Sequence, residues 1–442
     1  MFFLNKKRTD IITQTIENSE ERSYWSIVRK QFYKNRLAVW SLRVFYVILF
    51  VAITADFIAN ERPVYCELDG EAHFPIFHQY LVDLGLATWD EKFVSTKWLE
   101  QTYDYAIFPP ITYSSTTRDA KNNKFKSPFG EQDFEAETNR GWHYLGTERI
   151  GQDVAAGMIH GTRTAMLVGL VAMSIATLIG LFFGAISGYF GDDRLKVSGI
   201  RILLNLLAFL FALFFAFVTN GYIIADLVGN GNLLSGIAVI LAWFISLLSL
   251  ANLLAIPLKK IPILGKKITV PLDVIVMRLI ELVNSIPLLI LILAIVAIVE
   301  KPSVLFVMVI IGTVSWTGIA KFVRAELLRI RRLEYIEAAQ AFGYSEFRII
   351  WRHALPNALA PVLIAIAFGV ASAILTEAFL SFIGVGIPDD QVTWGSLLNL
   401  SRDKFSAWWL AIFPGFAIFI TVTIFNLIGE GLTEALDPRL RE

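Results

Sequence analysis

Sulfur and charge are both scarce in this chain. One cysteine, Cys66, stands among 442 residues. A lone thiol excludes an internal disulfide and any disulfide framework. Charged residues make up 18% against 55% hydrophobic, too few charges for an ordinary soluble protein of this length. Lys plus Arg and Asp plus Glu are equal at 39 each, so no field of one sign points to nucleic acid. Catalytic signatures are missing too. The Gly-x-x-x-x-Gly-Lys-Ser/Thr cradle for nucleotide phosphates is absent, as are His-Glu-x-x-His and Gly-x-Ser-x-Gly. No catalytic residue and no cofactor is therefore expected. His73 and His78 lack a Cys, Asp or Glu cluster at ligand spacing, so no metal is expected either. The polar stretch from Asn5 to Arg36 shows no cleavable signal, and the first apolar run is expected to remain as an anchor.

What is abundant is long apolar sequence. A bilayer core needs about 20 apolar residues per helix. Eight runs qualify: Ala38–Ala59, Thr164–Ser187, Arg201–Asn220, Leu234–Ile256, Ile275–Val299, Ser303–Ala320, Asn357–Gly384 and Trp408–Ile428. The outer end of the third is blurred. The expected fold class is an all-α polytopic membrane protein.

Basic residues in short loops mark the cytoplasmic side. Lys6, Lys7, Arg8, Arg29, Lys30, Lys34 and Arg36 precede the first run; Arg194, Lys196 and Arg201 follow the second. Lys259, Lys260, Lys266 and Lys267 follow the fourth, and Lys321, Arg324, Arg329, Arg331, Arg332, Arg348 and Arg352 the sixth. Arg439 and Arg441 close the tail. All five groups fall on one side if each run crosses once, with both termini cytoplasmic. Opposite loops are poorer: Gly221–Leu233 carries Asp226 and no Lys or Arg, and Glu300-Lys301-Pro302 reads as a tight turn.

These signals divide the chain into a cytoplasmic segment 1–37, a first span 38–59, an extracytoplasmic insertion 60–163, a transmembrane domain 164–428 and a cytoplasmic tail 429–442. The insertion is rich in Tyr, Phe and Trp, with Phe108-Pro109-Pro110-Ile111-Thr112-Tyr113 in its middle, so a small folded element is expected there. Asp56 reads as a snorkelling carboxylate, and Trp408-Trp409 as an interfacial anchor.

The basic segment 321–356 is the most informative. Leu333–Phe342 has helical composition, and its alanines give a slim face that another protein can approach closely. Gly343 is placed to end that helix in a left-handed conformation. Ser345 can cap a second short helix, with Glu346 at its positive end. Pro356 suits the first turn of the seventh span. The product is a helix–turn–helix at the cytoplasmic face, joined to spans six and seven, so that a push on it moves both.

Glu337-Ala338-Ala339, Gly343 and Arg352-His353-Ala354-Leu355-Pro356-Asn357 together resemble the signature loop of permeases in binding-protein-dependent ABC importers. His353 resembles the second permease of di- and oligopeptide systems. Further likenesses are Phe32–Ala38, Leu145–Val154, Gly188-Tyr189-Phe190-Gly191, Met277-Arg278, Ser285-Ile286-Pro287, Glu377–Gly386, Trp394-Gly395 and Leu436–Leu440. Gln152 stands where the family usually has arginine. The long outer segment is similar to the Yej-type branch, associated with oligopeptide and microcin C uptake.

The resemblance implies an ABC type I importer transmembrane domain in the bacterial inner membrane. It implies the six-helix family pattern plus an inserted hairpin, 201–256, lying between Gly191 and Asp273. It implies as partners a homologous permease alongside, two ABC ATPase domains below, an extracytoplasmic peptide-binding protein above, and the lipid bilayer around the spans. By that likeness Glu337, Ala338, Ala339 and Gly343 form the ATPase-facing core, flanked by Tyr344, Phe347, Arg348, Leu355 and Pro356. Glu377, an acid inside an apolar run, reads either as a cavity residue meeting a peptide amino group, with Ser381 beside it, or as a structural hydrogen-bonding group. Gly384 and Gly386 read as close-packing positions. Alternatives are a permease of the same family for nickel or another small solute, a secondary transporter, and an intramembrane enzyme.

Overall fold

The computed structural model describes residues 24–94, 96–133, 138–229, 233–298, 303–385 and 391–437. Lys6, Lys7, Arg8, the turn Glu300–Pro302, Gly386, and Arg439 and Arg441 of the tail lie outside the described residues. The helices that position the site are α1 (Tyr24–Phe32), α2 (Arg36–Ile53), α3 (Val154–Phe190), α4 (Gly199–Leu213), α5 (Leu233–Leu258), α6 (Leu272–Asn284), α7 (Leu288–Ile298), α8 (Val304–Ile330), α9 (Glu334–Ala341), α10 (Glu346–Ile349), α11 (Leu355–Phe382), α12 (Trp394–Leu400) and α13 (Trp409–Leu436). Among the described residues, seven helical stretches are long and apolar enough to cross a membrane, and α6 with α7 makes an eighth if that bent pair is one span.

Each of the eight apolar runs therefore carries a helix, with three departures. The fifth run is not straight: α6 and α7 meet at 76° across Ser285-Ile286-Pro287. Pro287 has no N–H to continue α6 and disfavours helical geometry at Ile286. The second run begins earlier than Thr164, because the Asp153 carboxylate accepts the Ala156 N–H at 2.6 Å and starts α3 at Val154. The seventh is continuous with the loop before it. From Glu346 to Phe382 the backbone stays helical through a π turn at Ile350–Ala354, where Pro356 removes a donor.

Glycine decides how α3 and α8 meet. A methyl on Gly180 would stand 2.7 Å from Ile319 Cβ, and one on Gly184 2.7 Å from the Ala320 carbonyl oxygen. Gly188 likewise lies on Arg324, and Gly312 of α8 lies on Ala172 of α3. Small residues at this spacing let two membrane helices touch along their backbones. Around that seam α11 and α13 complete one apolar core containing Met173, Trp316, Leu327, Ile374 and Phe425.

The outer segment folds against the ends of these helices. β1 (Tyr65–Leu68) lies between β2 (Glu71–His73) and β3 (Tyr105–Ile107), antiparallel to both, with Cys66 opposite His73 and Ala106. Asp56 is not a snorkelling group. It lies in the helical turn Ala55–Ile58 that follows α2, and it accepts from Arg163 Nη2 at 2.7 Å and from Tyr80 Oη at 2.5 Å, tying that turn, α3 and the outer segment together. Of the two tryptophans, Trp408 is half-exposed, whereas Trp409 is buried and donates to the Thr147 carbonyl at 3.1 Å.

A buried polar cluster fixes the outer segment to the start of α3. His143, fully buried, has Nδ1 2.7 Å from Asp153 Oδ2 and Nε2 3.3 Å from Asp119 Oδ2. Tyr113 stacks on its ring at 4.2 Å, and Arg140 pairs with Asp119 at 2.8 Å. Burial opposes charge on His143, but the two carboxylates outweigh it and raise its pKa above the ordinary value. Burial also opposes charge on Asp119, yet hydrogen bonds from His143 and Asn122 and the Arg140 charge hold its carboxyl well below the usual range.

Candidate functional site

The segment between α8 and α11 is a helical elbow. α8 runs to Ile330, Arg331–Leu333 turn the chain, and α9 follows. Gly343 sits at φ +74°, and the N–H groups of Gly343 and Tyr344 donate to the carbonyls of Gln340 and Ala339 at 2.9 and 3.2 Å. This is the left-handed helix stop expected of a glycine there. Ser345 Oγ then accepts the Arg348 N–H at 3.4 Å and caps α10.

The elbow has two unlike faces. Ile336, Ile349, Ala354 and Leu355 are buried, and so is Ala339 at 7% exposure. Glu337, Ala338, Gly343, Tyr344, Phe347, Arg348 and Pro356 are exposed. Ala339 and Leu355 therefore pack inward, while the other seven residues singled out from the sequence form the open face. Aromatic rings crowd it. Phe342 is 81% exposed and Phe347 71%. The Arg348 guanidinium lies 4.4 Å over the Tyr344 ring, and Tyr344 in turn stacks with His353.

Tyr189 is the residue that pattern reading missed. It ends α3, is fully buried, and its hydroxyl donates to the Glu346 carboxylate of α10 while accepting from Gln340 Nε2 of α9 at 3.3 Å. Its carbonyl accepts from Arg331 Nη1 at 3.4 Å. One side chain thus joins both arms of the elbow to span two. Beside it, Arg324 of α8 grips Asp273 of α6 with two nitrogens. The Gly188–Gly191 likeness pointed to this stretch, but nothing in the spacing pairs Tyr189 with residues so distant in sequence.

Glu377 and Ser381 are brought together on α11. Ser381 Oγ donates to Glu377 Oε1 at 2.6 Å, and Glu377 is 1% exposed. α12 covers them: a methyl on Gly395 would stand 2.4 Å from the Ala378 carbonyl oxygen and 2.7 Å from Ser381 Cβ. Gly384 is needed for conformation rather than packing, since it has φ +80° and a methyl there would find nothing nearer than 3.7 Å. A cavity of about 460 Å³ beyond α12 is lined by Arg118, Glu148, Gln152, Ser381 and Asn399, not by Glu377. A second cavity, about 670 Å³ and mostly apolar, opens where α6 breaks, between Asn284, Pro287, Gly318, Phe322 and Phe368. Thr317 donates to Asn284 there at 3.1 Å.

Comparison with known proteins agrees with this architecture. Residues 263–442 match the family described as binding-protein-dependent transport system inner membrane component. Residues 23–72 match the N-terminal TM domain of oligopeptide transport permease C. The chain belongs to the binding-protein-dependent ABC transport permeases, as a multi-pass inner-membrane component. It is similar to the inner membrane ABC transporter permease protein YejE of Escherichia coli, with 27% identity over 413 residues, covering 92% of this chain and 95% of that protein. It is similar to the peptidoglycan transport system permease protein YejE of Agrobacterium fabrum, with 26% identity over 93% of this chain and 92% of the relative. The oligopeptide transport system permease protein OppC of Haemophilus influenzae is 24% identical over 99% of this chain and 97% of its own length.

Proposed function

We propose that this chain is the transmembrane subunit of an ATP-driven importer of oligopeptides or peptide-like compounds. It forms the translocation path with a homologous permease. It receives substrate from an extracytoplasmic peptide-binding protein and force from two ATPase domains at the cytoplasmic face. Both of its termini are cytoplasmic in this reading, and ATP hydrolysis belongs to the partner subunits.

The observation that carries this reading is the elbow. Its outer face presents a slim Glu337-Ala338 edge, an exposed aromatic group and Arg348, as a docking surface for another protein requires. Its inner side is joined to α3 through Tyr189 and runs helically into α11. A partner that seats differently in two nucleotide states then shifts the spans between two arrangements. The peptide assignment rests on the names of the relatives, two of them for oligopeptide and peptidoglycan transport systems. Glu377 fits the structural role better than the substrate path, because Ser381 and α12 enclose it.

Purification of the intact complex tests the assembly: an ATPase subunit and a second permease should co-purify. Uptake of labelled peptides by the reconstituted complex, with ATP hydrolysis measured alongside, tests the activity. Purification without an ATPase overturns the assembly, and ATP-dependent uptake of a small metal ion in place of peptide overturns the substrate class.

A further inference from the structure

We propose that the base of the inserted hairpin is a binding site for anionic phospholipid. α4 and α5 make their main contacts with each other and not with the core helices. The apolar windows of these two helices are only 17% and 6% buried within the protein, so their outer faces meet lipid. Chain enters and leaves the hairpin through a two-stranded ribbon, β4 (Lys196–Ser198) against β5 (Lys267–Thr269). This ribbon lies at the same end of the bundle as the elbow, since Gly191 contacts Arg331 and accepts from Asp273.

Charge at that base is mostly basic, with Asp192 and Asp193 on the approach from α3 and Asp273 engaged by Arg324. Lys196, Arg201, Lys259, Lys260, Lys266 and Lys267 are all exposed there. Between Arg194 and Asp273 the single acidic residue is Asp226, beyond the opposite end of α4. Arg201 donates its Nε–H to Asn252 Oδ1 at 2.6 Å, a partner that orients the guanidinium without neutralising it. A groove of about 620 Å³ begins at this arginine. Arg201, Asn205 and Asn252 supply its polar groups, between Val197 on the ribbon side and Leu206, Phe209 and Leu248 further along the helices. Cations at the membrane boundary followed by an apolar slot match a phosphate headgroup followed by an acyl chain. A free phosphate would use only the first half, and a basic ribbon repels a basic partner.

The test uses the full chain purified from mixed phosphatidylglycerol and phosphatidylethanolamine nanodiscs, with bound lipid read by native mass spectrometry. The wild type should retain phosphatidylglycerol preferentially. Replacing Arg201, Lys266 and Lys267 by Gln should reduce that preference by roughly fivefold per cation removed. Leu206→Trp, which fills the slot but keeps every charge, should lower retention as well. A photoreactive benzoylphenylalanine in place of Phe209 should crosslink to lipid. Equal retention of the two lipids, no loss in the charge variant, unchanged retention in Leu206→Trp, or crosslinking to a protein subunit each overturns the site.

Discussion

The backbone N–H of Asp273 donates to the carbonyl of Gly191 at 3.4 Å, and next to it Val274 N–H donates to Asp192 Oδ1 at 3.1 Å across 82 positions of sequence. The inserted hairpin lies between these residues, yet α3 and α6 meet as if it were not there. The β4–β5 ribbon closes the neck. An insertion that leaves its two ends in contact adds little strain to its host.

This contact predicts that the hairpin is dispensable for folding. Replacing residues 195–270 with a short Asn-Gly turn should give a chain that still inserts and elutes as a single species. Size-exclusion chromatography and proteolysis of the elbow check it. Aggregation of the shortened chain would show that α4 and α5 supply core packing.

Gly343 has open space around it, so its role is conformational and not steric. A β-branched side chain at φ +74° costs about 1–2 kcal/mol. Gly343→Val should therefore reshape the turn between α9 and α10 and depress peptide uptake, with expression and subunit assembly largely kept. Gly343→Asn, which tolerates the left-handed region, should retain more uptake. Unchanged uptake in the valine variant would remove the elbow from the mechanism.

Tyr189→Phe removes one oxygen from the point where three elements converge. Gln340 and Glu346 both lose a partner, at about 0.5–1.5 kcal/mol per hydrogen bond. Amide exchange should quicken in residues 334–349 while α3 and α8 keep their protection. Equal protection in both forms would mean that packing around Ile336 and Ile349 holds the elbow alone.

The spans were legible because length and hydrophobicity decide them almost without reference to the rest of the chain. The stop at Gly343 and the cap at Ser345 were legible for a similar reason: each is a local event within a few residues. Pairings between distant positions were not. Asp56 looked like a lone acid near the end of a span, yet Arg163 and Tyr80 hold it. Trp409 looked like an interfacial ring, yet Thr147 engages it from the outer segment. Ala339 belongs to the same triplet as Ala338, but helix phase turns it inward. Single-sequence patterns carry phase and composition, while tertiary partners depend on how separate helices pack.

Glu377 separates two roles by substitution. If it serves α12 through Ser381, Glu377→Gln should keep uptake near the parent level because the amide oxygen still accepts. Glu377→Leu should instead destabilise by about 1–3 kcal/mol, leaving the buried Ser381 hydroxyl without its acceptor. Thermal unfolding in detergent separates the variants. Loss of uptake in Glu377→Gln with unaltered unfolding would put the carboxylate on the substrate path.

The His143 cluster makes the outer segment sensitive to pH, and the two shifts set the window. His143 has a folded-state pKa above its ordinary value, so its stabilising effect is fully present below about 6.5 and is lost as pH rises through the raised value. Asp119 is depressed, so its effect is present above about 3.9 and is lost as pH falls toward the lowered value. Protection of the segment around Tyr113 and Arg140 should therefore be greatest between roughly pH 4 and pH 6.5 and decline on the alkaline side. His143→Gln should abolish the alkaline decline, because glutamine bonds to Asp153 or Asp119 without carrying a titrating charge. Limited proteolysis across pH with a pH-tolerant protease, or amide exchange corrected for its intrinsic pH dependence, reads this directly. A parent protein whose outer segment opens equally at pH 5 and pH 8 would show that the imidazolium contributes nothing, and that Tyr113 stacking and the Arg140–Asp119 pair hold the clamp.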